Sequence, residues 1–445
     1  MKILIVAGTF PPYAPSSASR ANKFAKYLEQ QGHDVKVLAP KLPGQDMSLT
    51  PEISLDKIIL TDFYDVNDFP TDVINYFKNL FSFNNGHSVN IEPDKEPIAI
   101  NSNSQYKEST ISKTYRFLTN VPDRMIGWYP SAIRAGRKLF QEWSPDVIFS
   151  TAPPYTSFVV AHRLAKMIDI PWVADYRDLW IDASNYQYKT MRGRINKIVE
   201  KILLSNCNGL ITVTDTWVQN LQKRYEIPVA LAMNGFDPDD FDEKNKNVLY
   251  PDHLTFLYAG VLYGRRRDPS LLFEALGKLG EQAKEIKVLF YTPNGGDDFS
   301  PHQKALIDKY NLHDQIIANK FIPQKELLDI QLGVDILLLL RWDDPAERGV
   351  IAGKLFEYIG AKKTILSVGS VEGEAADIIR DNDFGTVSND VDEIVKILQQ
   401  HLKNKKDGIE INSENKNRNN YTRSLQFEKI EQMLIDLANK KQGGE

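Results

Sequence analysis

The apolar run Val334 to Leu340 constrains this chain most, because Ile336, Leu337, Leu338, Leu339 and Leu340 follow one another without a polar break. A strand with one wet face alternates apolar and polar residues. One that does not alternate must be covered on both faces, which is the condition of a parallel strand inside an α/β sheet. A loop with Gly349 and Gly353 follows, and a short helix opens near Lys354. Strand, Gly-bearing loop and helix start together leave backbone N–H groups aimed at one place, with the helix dipole behind them. An anion such as a diphosphate suits that place. Glu357 lies about one turn into the helix, where its carboxylate can accept hydrogen bonds from a polyol such as ribose. A diphosphate next to a sugar hydroxyl describes a nucleotide-sugar.

The same alternation begins at the N-terminus. Ile3 to Ala7 reads as a buried strand, a helix from about Ser16 to Gln31 follows with Ala21, Phe24, Ala25 and Leu28 on one face, and Val35 to Leu38 is the next strand. This βαβ unit starts a doubly wound sheet. Further strands are expected at 147–150, 172–174, 209–213 and 229–232. A second series begins at Leu254, with strands at 287–291, 316–321, 335–340, 364–368 and 385–387. The charged stretch from Asp239 to His253 reads as a linker. Residues 81–113, rich in Asn, Ser, Lys and Glu, read as a mobile loop or insertion. A length of 445 residues suits two domains of comparable size.

Composition narrows the class. At 42% apolar and 25% charged, this is the make-up of a soluble globular protein. The net charge of −5 gives no general attraction to nucleic acid. Cys207 is the single cysteine, so there is no internal disulfide and a reducing, cytoplasmic setting is the simpler expectation. No apolar stretch reaches the ~18–20 residues that span a bilayer. The seven histidines show no metal-ligand spacing, and neither a dinucleotide-binding Gly-x-Gly-x-x-Gly nor a phosphate-loop Gly-Lys-Ser/Thr is present.

Three further clusters carry chemistry. Pro171 to Trp180 places Asp175, Arg177 and Asp178 directly after three strand residues, at the sheet edge where α/β proteins bind ligands. Ionised groups concentrated there are costly unless used or paired, and an Arg177–Asp178 pair bracing the loop is the plain alternative to a site role. Arg265, Arg266 and Arg267 follow the strand that starts at Leu254, and guanidinium groups bind phosphate oxygens bidentately. In the first loop, Ser16, Ser17 and Arg20 open the helix, with a serine N-cap the plain alternative. One more helix alternates Lys189, Arg192, Arg194, Lys197 and Lys201 with Met191, Ile195, Ile198, Val199 and Ile202. Such a helix can rest on anionic lipid, but an ordinary surface helix packed over the sheet is the favoured expectation.

The segment from Arg348 to Tyr358 resembles the donor-site signature of retaining GT-B glycosyltransferases, in particular glycosyltransferase family 4. The phrase Ala174-Asp175-Tyr176-Arg177-Asp178-Leu179-Trp180 resembles one found in members that build bacterial surface polysaccharides. The resemblance implies two Rossmann-like doubly wound domains facing a cleft. Residues 1–245 would bind acceptor, 246–420 would bind the donor, and the helix in 421–445 would cross back to the first domain. It implies a retaining transfer of a hexosyl or N-acetylhexosaminyl group from a UDP- or GDP-type sugar, with a lipid-linked oligosaccharide as acceptor class and the inner membrane face as the place of work. No cofactor or metal is expected. By the same resemblance Asp175, Asp178, Arg266 and Lys354 are the catalytic candidates. Arg265, Arg267, Gly349, Ile351, Ala352, Gly353, Leu355 and Glu357 would hold the donor, and Ser16, Ser17, Arg20 and Arg177 the acceptor or sugar. The family pattern has two glutamates flanking the phosphate turn. The second is Glu357, while Gly349 stands where the first belongs, with Glu347 two residues earlier as a substitute. The rival readings are a nucleotide-sugar 2-epimerase and a non-catalytic nucleotide-sugar-binding subunit of the same fold.

Overall fold

The computed structural model describes residues 1–13, 17–45, 47–69, 110–181, 190–264, 266–409, 411 and 416–442. The chain forms two compact units. The first comprises Met1–Val213, Val218–Ala232 and Phe427–Glu445, and the second Thr214–Trp217 and Met233–Gln426. The long second-unit segment begins at Met233, ahead of the charged stretch after Asp239.

The N-terminal part runs β1 (Lys2–Ala7), α1 (Ala18–Gln30), β2 (Asp34–Pro40), β3 (Ile58–Thr61), α2 (Thr110–Thr119), α3 (Tyr129–Glu142), β4 (Val147–Ala152), α4 (Thr156–Ile168), β5 (Trp172–Tyr176), α5 (Met191–Leu203), β6 (Gly209–Thr212), α6 (Asp215–Gln222) and β7 (Val229–Leu231). Its seven strands lie in the order β3-β2-β1-β4-β5-β6-β7. Every pairing is parallel, with Ile3 beside Val35 on one flank of β1 and Val147 on the other. On one face Ile3, Ile5, Val35, Val37, Phe149, Val173 and Ile211 pack against Phe24 and Leu28 of α1. The expected loop over 81–113 lies largely outside the described residues, although Thr110 to Lys113 already belong to α2.

The second part runs β8 (Leu254–Ala259), α7 (Ser270–Leu279), β9 (Ile286–Thr292), α8 (Pro301–Lys309), β10 (Ile316–Lys320), α9 (Gln324–Gly333), β11 (Ile336–Arg341), α10 (Lys354–Gly360), β12 (Thr364–Gly369), α11 (Glu374–Asp381), β13 (Gly385–Ser388), α12 (Val391–Lys406) and α13 (Arg423–Gln442). Its six parallel strands lie in the order β10-β9-β8-β11-β12-β13. The leucine run behaves as its lack of alternation requires. Leu338 and Leu340 enter the core that holds Phe256, Phe273 and Phe290, whereas Leu337 and Leu339 enter the opposite core with Leu257, Leu289 and Tyr358. Helix α13 places Phe427, Ile430 and Leu434 in the core of the first unit.

Each sheet reverses its winding once, between β1 and β4 in the first and between β8 and β11 in the second. In doubly wound sheets the strands' C-terminal ends at that switch open the crevice in which ligands sit. Gly8 and Pro153 stand at the first such place, Gly260 and Arg341 at the second.

Candidate functional site

At the switch of the second sheet, Lys354 reaches back from the first turn of α10. Its Nζ donates to the Ala259 carbonyl at 2.7 Å and lies 4.0 Å from the centre of the Tyr258 ring. The approach is close because residue 260 has no side chain. A Cβ on Gly260 (φ +144°) would stand 2.4 Å from that Nζ, in a conformation few L-residues adopt. Burial and the neighbouring Arg267 push the Lys354 ammonium down to about 7. A cation held this way gains from any anion that arrives.

The arginine cluster turns out to be divided. Arg265 lies outside the described residues. Arg266 is exposed and stacks over the Trp342 ring at 4.5 Å. Arg267 turns inward, with its Nη2 donating to a Glu347 carboxylate oxygen at 3.3 Å. Arg267, Arg341, Trp342, Glu347, Val350 and Ala352 line one recess. Arg341 is a residue that sequence reasoning passed over. It is buried, and its guanidinium donates to the carbonyls of Ser370 and Glu372, both at 2.7 Å, which fixes the loop before α11. The available signal was a charged residue directly ending an apolar strand.

The loop into α10 uses few of its backbone donors internally. Val350 N–H goes to the Glu347 carbonyl at 2.9 Å and Leu355 N–H to Ala352 at 3.0 Å. Among the described residues, the N–H groups of Ile351, Ala352, Gly353 and Lys354 have no partner. Leu355 itself is fully buried in the core and serves the site only through its backbone. Glu357, half-buried, sits one turn along beside Lys354, Gln331 and Arg423. Burial raises its carboxyl above the ordinary range, while Gln331, Lys354 and Arg423 favour the charged form.

Gly349 has a packing reason. A Cβ there would meet Thr216 and the Trp217 indole nitrogen at 3.0 Å, so a glutamate enters only if both give way. Glu347, the alternative, is engaged with Arg267.

At the switch of the first sheet, Asp175 is fully buried. It accepts from Arg20 at 2.9 and 3.1 Å and from the Thr151 hydroxyl at 2.7 Å. Arg20, also buried, donates to the Ala232 carbonyl at 3.0 Å as well. Arg177 does not spend its donors on Asp178. It donates to the Ser17 carbonyl at 2.6 Å and to the Pro153 carbonyl, and its buried Nε has no partner among the described residues. Asp178 is exposed. Ser17 makes no side-chain cap to α1; its hydroxyl pairs with that of Thr9 at 2.9 Å. Ser16 lies outside the described residues. The structure thus groups Ser17, Arg20, Asp175 and Arg177 around one strand edge, and groups Arg267, Lys354, Glu357 and the 351–354 backbone around the other. Among the described residues, no group of three or more His, Cys, Asp or Glu side chains is arranged to hold a metal ion. No helix there is long and apolar enough to cross a membrane.

Residues 101–240 match the profile of Glycosyltransferase Family 4. No curated protein sequence matches the chain. Among solved structures, sucrose-phosphate synthase from Thermosynechococcus elongatus is similar at 13% identity and a TM-score of 0.60, over 99% of this chain and 98% of that one. A glycosyltransferase from Rickettsia africae is similar at 15% identity and 0.60, over 98% of both chains. Anabaena HepE in complex with UDP is similar at 12% identity and 0.58, over 98% of this chain and all of the other. The chain therefore has the fold of the GT-B glycosyltransferases, and over residues 101–240 it matches the profile of Glycosyltransferase Family 4.

Proposed function

We propose that this chain is a retaining glycosyltransferase that takes a hexosyl or N-acetylhexosaminyl group from a UDP- or GDP-type sugar. The observation that carries this reading is the convergence at the end of β8 and β11. Two cations, Arg267 and Lys354, four free N–H groups and the Glu357 carboxylate lie there, drawn from two loops and one helix turn. The cations and N–H groups suit a diphosphate, and Glu357 suits the ribose hydroxyls. The UDP bound by HepE agrees with this choice of ligand class.

During transfer the acceptor hydroxyl oxygen bonds to the anomeric carbon as the bond from that carbon to the diphosphate oxygen breaks. The departing diphosphate gains charge, and Arg267, Lys354 and the 351–354 amides stabilise that charge where it develops. Front-face attack lets a phosphate oxygen take the acceptor's proton, so the sugar keeps its configuration. Arg266, exposed on Trp342, reaches the same phosphates from the rim. In the first unit, Asp178 is the solvent-facing carboxylate that can orient an acceptor hydroxyl. The Arg20–Asp175 pair is a positioning element beneath it, and the free Nε of Arg177 offers a donor to a sugar oxygen. The acceptor class is a lipid-linked oligosaccharide.

The test is incubation of the protein with labelled UDP- and GDP-sugars, with and without lipid-linked oligosaccharide acceptors. Acceptor-dependent release of nucleoside diphosphate with a labelled lipid product is expected. An epimerised donor, or no turnover with any donor and acceptor, overturns the reading.

A further inference from the structure

Helix α5 sits on the first unit the opposite way round from what its side chains suggest. Gly193, Asn196, Glu200 and Leu203 are its buried residues, and their spacing of three and four defines one face. Glu200 has no exposed surface. It accepts from the Tyr176 hydroxyl at 3.0 Å and the Tyr225 hydroxyl at 2.6 Å, with Arg224 at 3.6 Å. These bonds fix the rotation of the helix, since turning it would take the carboxylate away from the buried Tyr176 hydroxyl.

Part of the apolar stripe is consequently outside, while Ile195 and Val199 are half-buried. Met191 is 70% exposed, Ile198 61% and Ile202 57%, and steps of seven and four residues align them. Arg192 ties this helix to α2, donating to the Phe117 carbonyl and lying 5.8 Å over the Phe117 ring. The next residue, Leu118, is 67% exposed. Beside the stripe stand Arg194, Lys197 and Lys201, all exposed. The only acidic side chain of α5 is the buried Glu200.

We propose that α5 and the C-terminal end of α2 dock on an anionic lipid bilayer. Met191, Ile198, Ile202 and Leu118 enter the boundary between headgroups and acyl chains, and Arg194, Lys197 and Lys201 meet the lipid phosphates. Isolated exposed apolar residues are ordinary. An aligned set on a rotationally fixed helix, flanked by cations with no exposed acid, has the composition of an interfacial anchor. Charge selects the occupant: a row of anionic headgroups satisfies three cations that have no acidic partner among the described residues. The proposal stands apart from the transfer reaction, because binding to lipid is read without donor or acceptor.

The experiment is co-sedimentation of the full chain with phosphatidylcholine vesicles, with and without phosphatidylglycerol. An Ile198→Trp variant runs in parallel as a fluorescence reporter. Binding is expected only when phosphatidylglycerol is present, with a blue shift of the new tryptophan. Each of Lys197→Gln and Lys201→Gln should weaken binding by about fivefold. Ile198→Glu combined with Ile202→Glu should weaken it by more than about tenfold. These positions are exposed, so thermal melts should be unchanged, and UDP or GDP binding serves as a second check of folding. Absence of sedimentation, binding untouched by the double glutamate variant, or no blue shift on binding overturns the proposal. The last two results would point to a different surface or to a protein partner for this face.

Discussion

Lys354 is paired with a carbonyl and a phenol ring, and neither neutralises its charge. Burial and the neighbouring Arg267 depress its ammonium to about 7 in the free protein, against the opposing pull of Glu357. A bound diphosphate favours the protonated form, so binding should take up a proton, and affinity should fall as pH rises through about 7 and above. Titrations in buffers of different ionisation enthalpy measure this directly. In Lys354→Met the proton uptake and most of the pH dependence should disappear, with affinity lower by roughly tenfold or more, the scale of a lost charge-assisted bond. Asp175 and Arg20 raise a different matter. They are 155 positions apart in sequence, so the sequence offered only an Arg177–Asp178 pair as the bracing alternative to a site role. Breaking a buried pair from one side leaves an uncompensated charge, so Arg20→Ala should destabilise the protein by about 3–5 kcal/mol in denaturant unfolding. A loss of activity with unchanged stability would make the pair part of the site rather than its support. Gly349 belongs here too. Its departure from the family pattern was visible in the sequence, but the crowding by Thr216 and Trp217 was not.

At the scale of elements, strands covered on both faces were legible because their apolar runs admit one environment, as β1 and β11 show. Strand β3 was missed. It is four residues long, half-exposed throughout and at the sheet edge, so it carries neither a long run nor a clean alternation. The existence of α5 was legible and its orientation was not, since its interior contacts are tyrosine hydroxyls on a carboxylate, outside the rule that apolar stripes face inward. The strand–loop–helix around Lys354 was read correctly from order alone, because Gly353 and the apolar α10 leave little choice. Helix α13 gives a test of packing at this scale. Leu434 has no exposed surface in the first unit's core, and Leu434→Ala should cost about 2–5 kcal/mol. A denaturation midpoint that does not move would show that the helix is dispensable there.

For the whole molecule, the two doubly wound sheets each present one switch point, and chemistry-bearing side chains collect at both. The fold could be argued from the alternation of elements; the donor sugar and the acceptor linkage could not, because hydroxyl recognition depends on single side chains in loops. If Arg267, Lys354 and the 351–354 amides carry the diphosphate charge, no divalent ion is needed for transfer. EDTA should leave the rate largely intact, and complete loss restored by Mg²⁺ would refute that part of the account. The most direct measurement is calorimetric titration with UDP, GDP and ADP of the wild type beside Glu357→Ala. The account predicts that UDP or GDP binds and that the variant binds it about 10–100-fold more weakly, the scale of lost hydrogen bonds to a charged acceptor. Equal binding by both proteins, or binding of no nucleoside diphosphate, would contradict the donor site at α10.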